Sequence, residues 1–254
     1  MMKYLYKCFP SIMILMLIIA LYDLGYNSNA TNAQSQNLVY SVEQKPFNKT
    51  FADWAVWWWN HHLSIADIKQ NASLAHPRDS YSPEKCSWSQ DNGPVWFLPD
   101  GKDRSDISNP ELRECKVPQG KALLVQIVGS GCSKGEGLRD EQELRDCAVW
   151  VLPNAEFSAK IDGKEVMNTK QNPGDRQKFY VEPYKANLTY VKNSYYRDVN
   201  PGTYDGMVAG YYLFVRPLSR GLHEVEFDES AIEFLNGFPK DQRLSHVKYL
   251  ITVE

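Results

Sequence analysis

Hydrophobic spacing along the chain changes twice. Residues 12–21 are an unbroken apolar run. Residues 50–63 place apolar side chains at helical intervals, and from Gly93 onward short apolar or alternating runs are cut by turn residues. Thr50-Phe51-Ala52-Asp53 reads as a capping box, with Thr50 as N-cap and Asp53 at the third helical position. At 100° per residue, Phe51, Ala52, Trp54, Ala55, Val56, Trp58, Trp59, His62 and Leu63 fill an arc of roughly 200°. Asp53, Trp57, Asn60 and His61 fill the rest, so most of this aromatic mass is expected inside and Trp57 and His61 outside.

The later runs predict strands near 95–98, 122–128, 148–152, 157–161, 164–166, 178–181, 188–191, 207–215, 222–227 and 247–253. Asp162-Gly163 is a hairpin turn. The run 207–215 is almost continuously apolar, as a strand buried on both faces would be; Tyr211 and Tyr212, on opposite sides of it, suggest one ring in the core and one at the surface. Only one other helix is expected, a solvated one at 138–146. Strands without repeated crossover helices predict a mainly β fold, an antiparallel β-sandwich or jelly roll with a docked N-terminal tryptophan-rich helix. The expected organisation is a signal peptide at 1–33, an extended leader at 34–49 and one domain at 50–254.

The composition refines this reading. Net charge is −3 over 254 residues, without the basic footprint of a nucleic-acid binder. Lys3 and Lys7 precede the apolar run, and Ser28-Asn29-Ala30 and Thr31-Asn32-Ala33 offer small-residue cleavage sites. The expected location is secreted, extracellular or pseudo-periplasmic, with anchoring by an uncleaved N-terminal segment as the alternative; no membrane span is expected in the mature chain. Cys8 would leave with the signal. That turns five cysteines into four: Cys86, Cys115, Cys132 and Cys147. Four permit three pairings, and spacing favours Cys86–Cys115 with Cys132–Cys147. Asn29, Asn48, Asn71 and Asn187 head glycosylation sequons.

Candidate chemistry is sparse. Gly129-Ser130-Gly131 lacks a phosphate-loop pattern and reads as a stapled turn. No nucleophile elbow is present. His61 and His62 diverge by about 100° on a helix; His62 is expected as a core histidine, and His61 with His76 would be a weak metal pair. No cofactor and no metal site are expected. Asp100 to Asp106 is read as a solvated loop rather than a calcium loop. Asp91, Asp205, Asp228 and Glu229 are the carboxylates a glycosidase could use, with nothing in the spacing to select a pair. The tyrosine-rich loop holds Tyr195, Tyr196, Arg197, Tyr204 and Asp205. Flat rings beside polar groups suit sugar rings or a protein partner.

Trp58-Trp59 with Leu63-Ser64-Ile65, the run Gly93-Pro94-Val95-Trp96-Phe97-Leu98, Cys115-Lys116-Val117-Pro118-Gln119-Gly120-Lys121 and Gly210-Tyr211-Tyr212-Leu213 with Pro217-Leu218-Ser219-Arg220-Gly221-Leu222-His223 together resemble a poorly characterised family of exported prokaryotic proteins. The likeness spans about 50–254. It implies one exported β-rich domain and supports the Cys86–Cys115 pairing, but carries over no catalytic residues. The resulting expectation is a non-enzymatic surface protein that binds a glycan or protein partner through Trp57, His61 and the loop residues Tyr195, Tyr196, Arg197, Tyr204 and Asp205. The alternative is a secreted hydrolase with an unrecognised carboxylate or histidine site, and an extracellular metal-handling protein ranks third.

Overall fold

The computed structural model describes residues 38–254 except 69, 70, 72, 103–107, 151, 196, 197, 236 and 237. The expected signal peptide, its cleavage sites, Cys8, Asn29 and most of the aspartate-rich loop lie outside the described residues. Val39–Glu254 forms one compact unit.

Helix α1 spans Phe51–Leu63 and has the expected capping box: Asp53 N donates to Thr50 Oγ1 at 3.1 Å and Thr50 N to Asp53 Oδ2 at 3.0 Å. Phe51, Trp54, Ala55, Trp58, Trp59, His62 and Leu63 are buried, as the 100° arc predicts. Each inward indole N–H finds an acceptor. Trp54 donates to Pro46 O at 2.9 Å, Trp58 to Leu98 O at 3.0 Å and Trp59 to Tyr212 Oη at 3.1 Å.

This helix covers a four-stranded sheet of order β1-β3-β7-β6, built from Val95–Phe97, Ala122–Ser133, Gly202–Val215 and Tyr180–Tyr190. A five-stranded sheet of order β2-β9-β8-β4-β5 is built from Glu111–Val117, Phe238–Val253, Gly221–Leu235, Glu156–Ile161 and Lys164–Asn168. The two sheets make the expected mainly β sandwich. Its pairing is mixed, however, not wholly antiparallel: β1 runs parallel to β3 and β2 parallel to β9. The reason is topological. Between β1 and β3 the chain crosses to the other sheet as β2 and returns, so parallel neighbours arise without a crossover helix.

Strand β7 is buried from Gly206 to Val215, so Tyr211 and Tyr212 are both internal, correcting the expectation that one would face outward. Tyr212 meets Trp58 and Trp59 of α1, while Tyr211 packs on Phe157 of β4 at 4.4 Å. Gly129 and Gly131 lie within β3 rather than in a turn. A Cβ at Gly131 would come within 2.5 Å of the Trp59 ring, so the glycine makes room for the helix.

Helix α2 is Glu141–Val149, later than expected, and it absorbs the start of the strand predicted at 148–152. Leu144 and Ala148 are buried and Cys147 bonds to Cys132, a stripe at helical spacing. Both favoured disulfides form, with Cα–Cα distances of 5.6 Å for Cys86–Cys115 and 6.1 Å for Cys132–Cys147. Beyond a short helix α3 (Asp175–Lys178), the two predicted strands at 178–181 and 188–191 are one strand, β6, bulged between Val181 and Tyr184 around Pro183.

Candidate functional site

The outward face of α1 carries an aromatic patch. Trp57 is 39% exposed, Lys49 Nζ sits 4.7 Å from its ring centroid, and it meets Trp54 edge-on at 5.1 Å. Trp54 in turn meets Phe47 edge-on at 6.0 Å, and Phe47 is 38% exposed. Phe47 and Asn48 take φ of 55° and 62°, two successive side-chain-bearing residues in the left-handed region. Such conformations cost roughly 1–3 kcal/mol each. Here the turn is pinned by the Trp54 bond to Pro46 O and by Asn48 N donating to Lys45 O at 3.1 Å.

On the β6 side, Tyr184 is 41% exposed and donates to Asp53 Oδ1 at 3.2 Å. The Thr50 hydrogen bonds hold the Asp53 carboxyl below its ordinary value, and the Asp53 charge raises Tyr184. At neutral pH the pair is therefore a carboxylate and a neutral phenol. Phe47, Trp57 and Tyr184 thus surround Lys49, Thr50 and Asp53: apolar ring faces beside a cation, an anion and a hydroxyl.

Of the residues expected to bind ligand, Trp57 stays on the surface, as its helical angle predicts. His61, one turn further along α1, is half-buried; its Nδ1 lies 3.2 Å from Ser89 O and its ring 5.0 Å from Phe97. Burial lowers its pKa to about 4. Tyr204 packs its ring on Tyr190 at 5.9 Å and donates to Asn200 O, so it caps the sheet rather than forming a platform. Asp205 pairs with Lys134 at 3.0 Å at the rim of a 390 Å³ groove with Glu141, Lys185 and Asn187. Tyr196 and Arg197 lie outside the described residues.

Tyr195 turns inward, and the polar cluster it joins was not foreseen. His62 and His76 pack with ring centroids 4.3 Å apart, and Tyr195 lies 5.3 and 5.1 Å from them. Arg78 Nη1 donates to Tyr195 Oη at 2.8 Å and Arg78 Nε to Asp100 Oδ2 at 3.0 Å. His76 N donates to Asp67 Oδ1, and His76 Nδ1 accepts from Arg78 N at 3.2 Å. Asp100 Oδ1 is buried, has no hydrogen bond among the described residues and lies 4.0 Å from His62 Nδ1. Burial lowers His76 to about 4 and drives His62 well down, with the Arg78 charge adding to the effect on His62. Both imidazoles are neutral at pH 7.

This arrangement corrects the metal pair: His76 lies against His62, whereas His61 bonds to Ser89. Among the described residues no three His, Cys, Asp or Glu side chains gather as metal ligands. The weighed carboxylates do not meet in one cleft either. Asp91 accepts from Gly93 N, Asp205 is paired with Lys134, and Asp228 and Glu229 are strand neighbours on opposite faces. Among the described residues no helix is long and apolar enough to cross a membrane.

The exposed aromatics around Asp53 were legible only in part: Trp57 by its helical angle, but Phe47 and Tyr184 by no local signal, since folding alone brings them beside the helix. Set against known protein families, curated proteins and solved structures, the chain matches none.

Proposed function

We propose that this chain is an exported β-sandwich protein that binds a glycan, without catalysing a reaction, on the aromatic patch of Phe47, Trp57 and Tyr184. The observation that carries the reading is the exposed Trp57 ring with Lys49 and Asp53 beside it. A sugar ring presents an apolar face to an aromatic and hydroxyls to a carboxylate and an ammonium, and the patch offers all three. The left-handed backbone at Phe47 adds support, because strain of this kind persists where a surrounding structure holds it for use. Export rests on the positively charged start, the apolar run and the two disulfides, which belong to oxidising compartments. In this reading the sequons at Asn48, Asn71 and Asn187 carry glycans in a glycosylating host, and the chain groups with the exported prokaryotic proteins it resembles.

The test is a glycan array probed with wild type and Trp57→Ala. Binding of a defined glycan class by wild type, lost at least tenfold in the variant, is the expected result. No binding by wild type, or equal binding by both proteins, overturns the reading.

A further inference from the structure

Residues 46–49 form a tight turn. Lys49 N donates to Pro46 O at 3.2 Å, and the two central residues, Phe47 and Asn48, both have positive φ. That is the type I′ pattern, whose central positions ordinarily hold Asn, Asp or Gly. Asn48 suits it. Phe47 does not, because a bulky side chain in the left-handed region is a genuine outlier. Nor does Phe47 fill the core, since its ring is exposed. It meets Tyr40 edge-on at 6.3 Å and Trp54 at 6.0 Å, and Trp54 leads on to Trp57. The chain thus keeps an exposed ring where glycine would relax the backbone, and that ring is the immediate neighbour of Asn48.

Asn48-Lys49-Thr50 is a glycosylation sequon. Asn48 is exposed, and among the described residues its side-chain amide makes no hydrogen bond. Before it in the chain stands the Phe47 ring; after it comes Lys49, whose ammonium covers Trp57 at 4.7 Å. The other two described sequons lack this setting. Asn71 Oδ1 accepts from Ser73 N and Ser73 Oγ at 3.1 and 2.7 Å. Asn187 lines the groove of Lys134, Glu141 and Lys185, whose walls hold no aromatic side chain. In the fold the Thr50 hydroxyl donates to Asp53 Oδ2 at 2.6 Å. Sugar transfer to Asn48 therefore belongs to the chain before it folds, when the sequon's hydroxyl is free.

We infer that Asn48 carries an N-linked glycan whose first sugar lies on the Phe47–Trp57 patch, so that the chain supplies the first ligand of its own site. The inference rests on the reading of this patch as a sugar-binding surface and names the sugar that reaches it first. The donor is a glycan linked to a polyprenyl phosphate, used by a transferase of the export route. The Asn48 amide nitrogen forms a bond to the anomeric carbon, the bond from that carbon to the phosphate oxygen breaks, the amide proton passes to the transferase, and the lipid phosphate leaves. A short tether gives the attached sugar an effective concentration on the order of millimolar. A stacking contact too weak to hold a dilute free sugar is then held by the link, with the apolar face of the sugar on the rings. Foreign glycans must displace the tethered one.

The test uses the full chain with Asn29→Gln, Asn71→Gln and Asn187→Gln, so that Asn48 heads the one remaining sequon. It is made in a eukaryotic secretory host and trimmed by endoglycosidase to a single N-acetylglucosamine; the same chain from a non-glycosylating bacterium carries no sugar. Peptide mass spectrometry is expected to find the sugar on Asn48, and the sugar to raise the melting temperature by about 2–4 °C. In Trp57→Ala, and separately in Phe47→Ala, the sugar is expected to shift melting by less than about 1 °C; comparing each variant with and without sugar cancels the variant's own effect. On a glycan array the sugar-free chain should bind at least tenfold more tightly than the Asn48-modified one. An unmodified Asn48, a melting shift of equal size in Trp57→Ala, or equal and measurable array binding by the two forms overturns the inference. If the sugar-free chain binds nothing on the array while the melting shift persists and depends on Trp57, the proposed function fails and the tethered contact stands.

Discussion

Trp57 and Tyr195 come from the two aromatic-rich stretches of the chain, and they end in opposite situations. Trp57 stays on the surface with Lys49 over its ring. Tyr195 is drawn toward His62 and His76, its hydroxyl bonded to Arg78. Both rings offer comparable apolar area, so hydrophobicity does not separate them. What separates them is the helix face each one meets. The inward face of α1 presents His62, a polar ring that needs polar company when buried. The outward face presents Asp53, whose carboxylate is already satisfied by Thr50 and Tyr184. Tyr195 is recruited where buried polar groups must be matched, whereas Trp57 is left on a face whose polar groups already have partners.

The largest break in this contrast is expected at Arg78. Its guanidinium compensates Asp100, whose side chain is 14% exposed, and also holds Tyr195. Arg78→Leu leaves the carboxylate largely buried without its cation, a loss of about 3–5 kcal/mol. Urea unfolding should show it, and Asp100→Asn in the same background should recover part of the loss. If Arg78→Leu alone costs under 1 kcal/mol, the cluster is not what holds Tyr195.

Next comes pH. His76 is 1% exposed and its pKa falls from the ordinary histidine value to about 4, chiefly through burial. Above pH 6.5 the ring is neutral folded and unfolded, so it does not affect stability. Below 6.5 the unfolded chain takes up the proton first, and stability drops until the folded ring titrates near pH 4. One such group loses about 3 kcal/mol across that window, and His62 adds in the same direction. Denaturant titrations from pH 7 to pH 4 should therefore fall more steeply for wild type than for His76→Gln. Parallel curves would show that His76 titrates alike in the folded and unfolded chain, and that its burial does not shift it.

Much of this contrast was legible before the fold was known, and the missing part has physical reasons. The capping box and the 100° arc gave α1 and put Trp57 outside, because helix amphipathicity is a local property. Strand β2 was invisible, since Arg113 occupies an inward position between the exposed Leu112 and Glu114 and breaks the apolar alternation. Arg113 tolerates burial through Glu111, the Asp100 carbonyl and Tyr249, partners up to 136 residues away. The histidine cluster hid for the same reason: His62, His76, Arg78, Asp100 and Tyr195 are spread over more than half the chain, and only the packed sandwich assembles them. Parallel pairing was likewise a matter of topology, not spacing.

The smallest expected effects on stability fall at the two rings themselves, and they sharpen the comparison most. Tyr195→Phe removes one hydroxyl that accepts from Arg78, a hydrogen bond to a charged group, and is expected to cost about 1–2 kcal/mol. Trp57→Ala removes a ring that is 39% exposed and leaves no cavity, so its cost should stay near 0.5 kcal/mol. Glycan binding should respond in reverse order: unchanged in Tyr195→Phe, lost in Trp57→Ala. Measured together by thermal melts and ligand titration, the pair forms a crossed design in which each variant controls for the other. Should Tyr195→Phe weaken binding while remaining folded, the inward tyrosine would belong to the ligand site, and the division between an internal polar cluster and an external aromatic patch would fail.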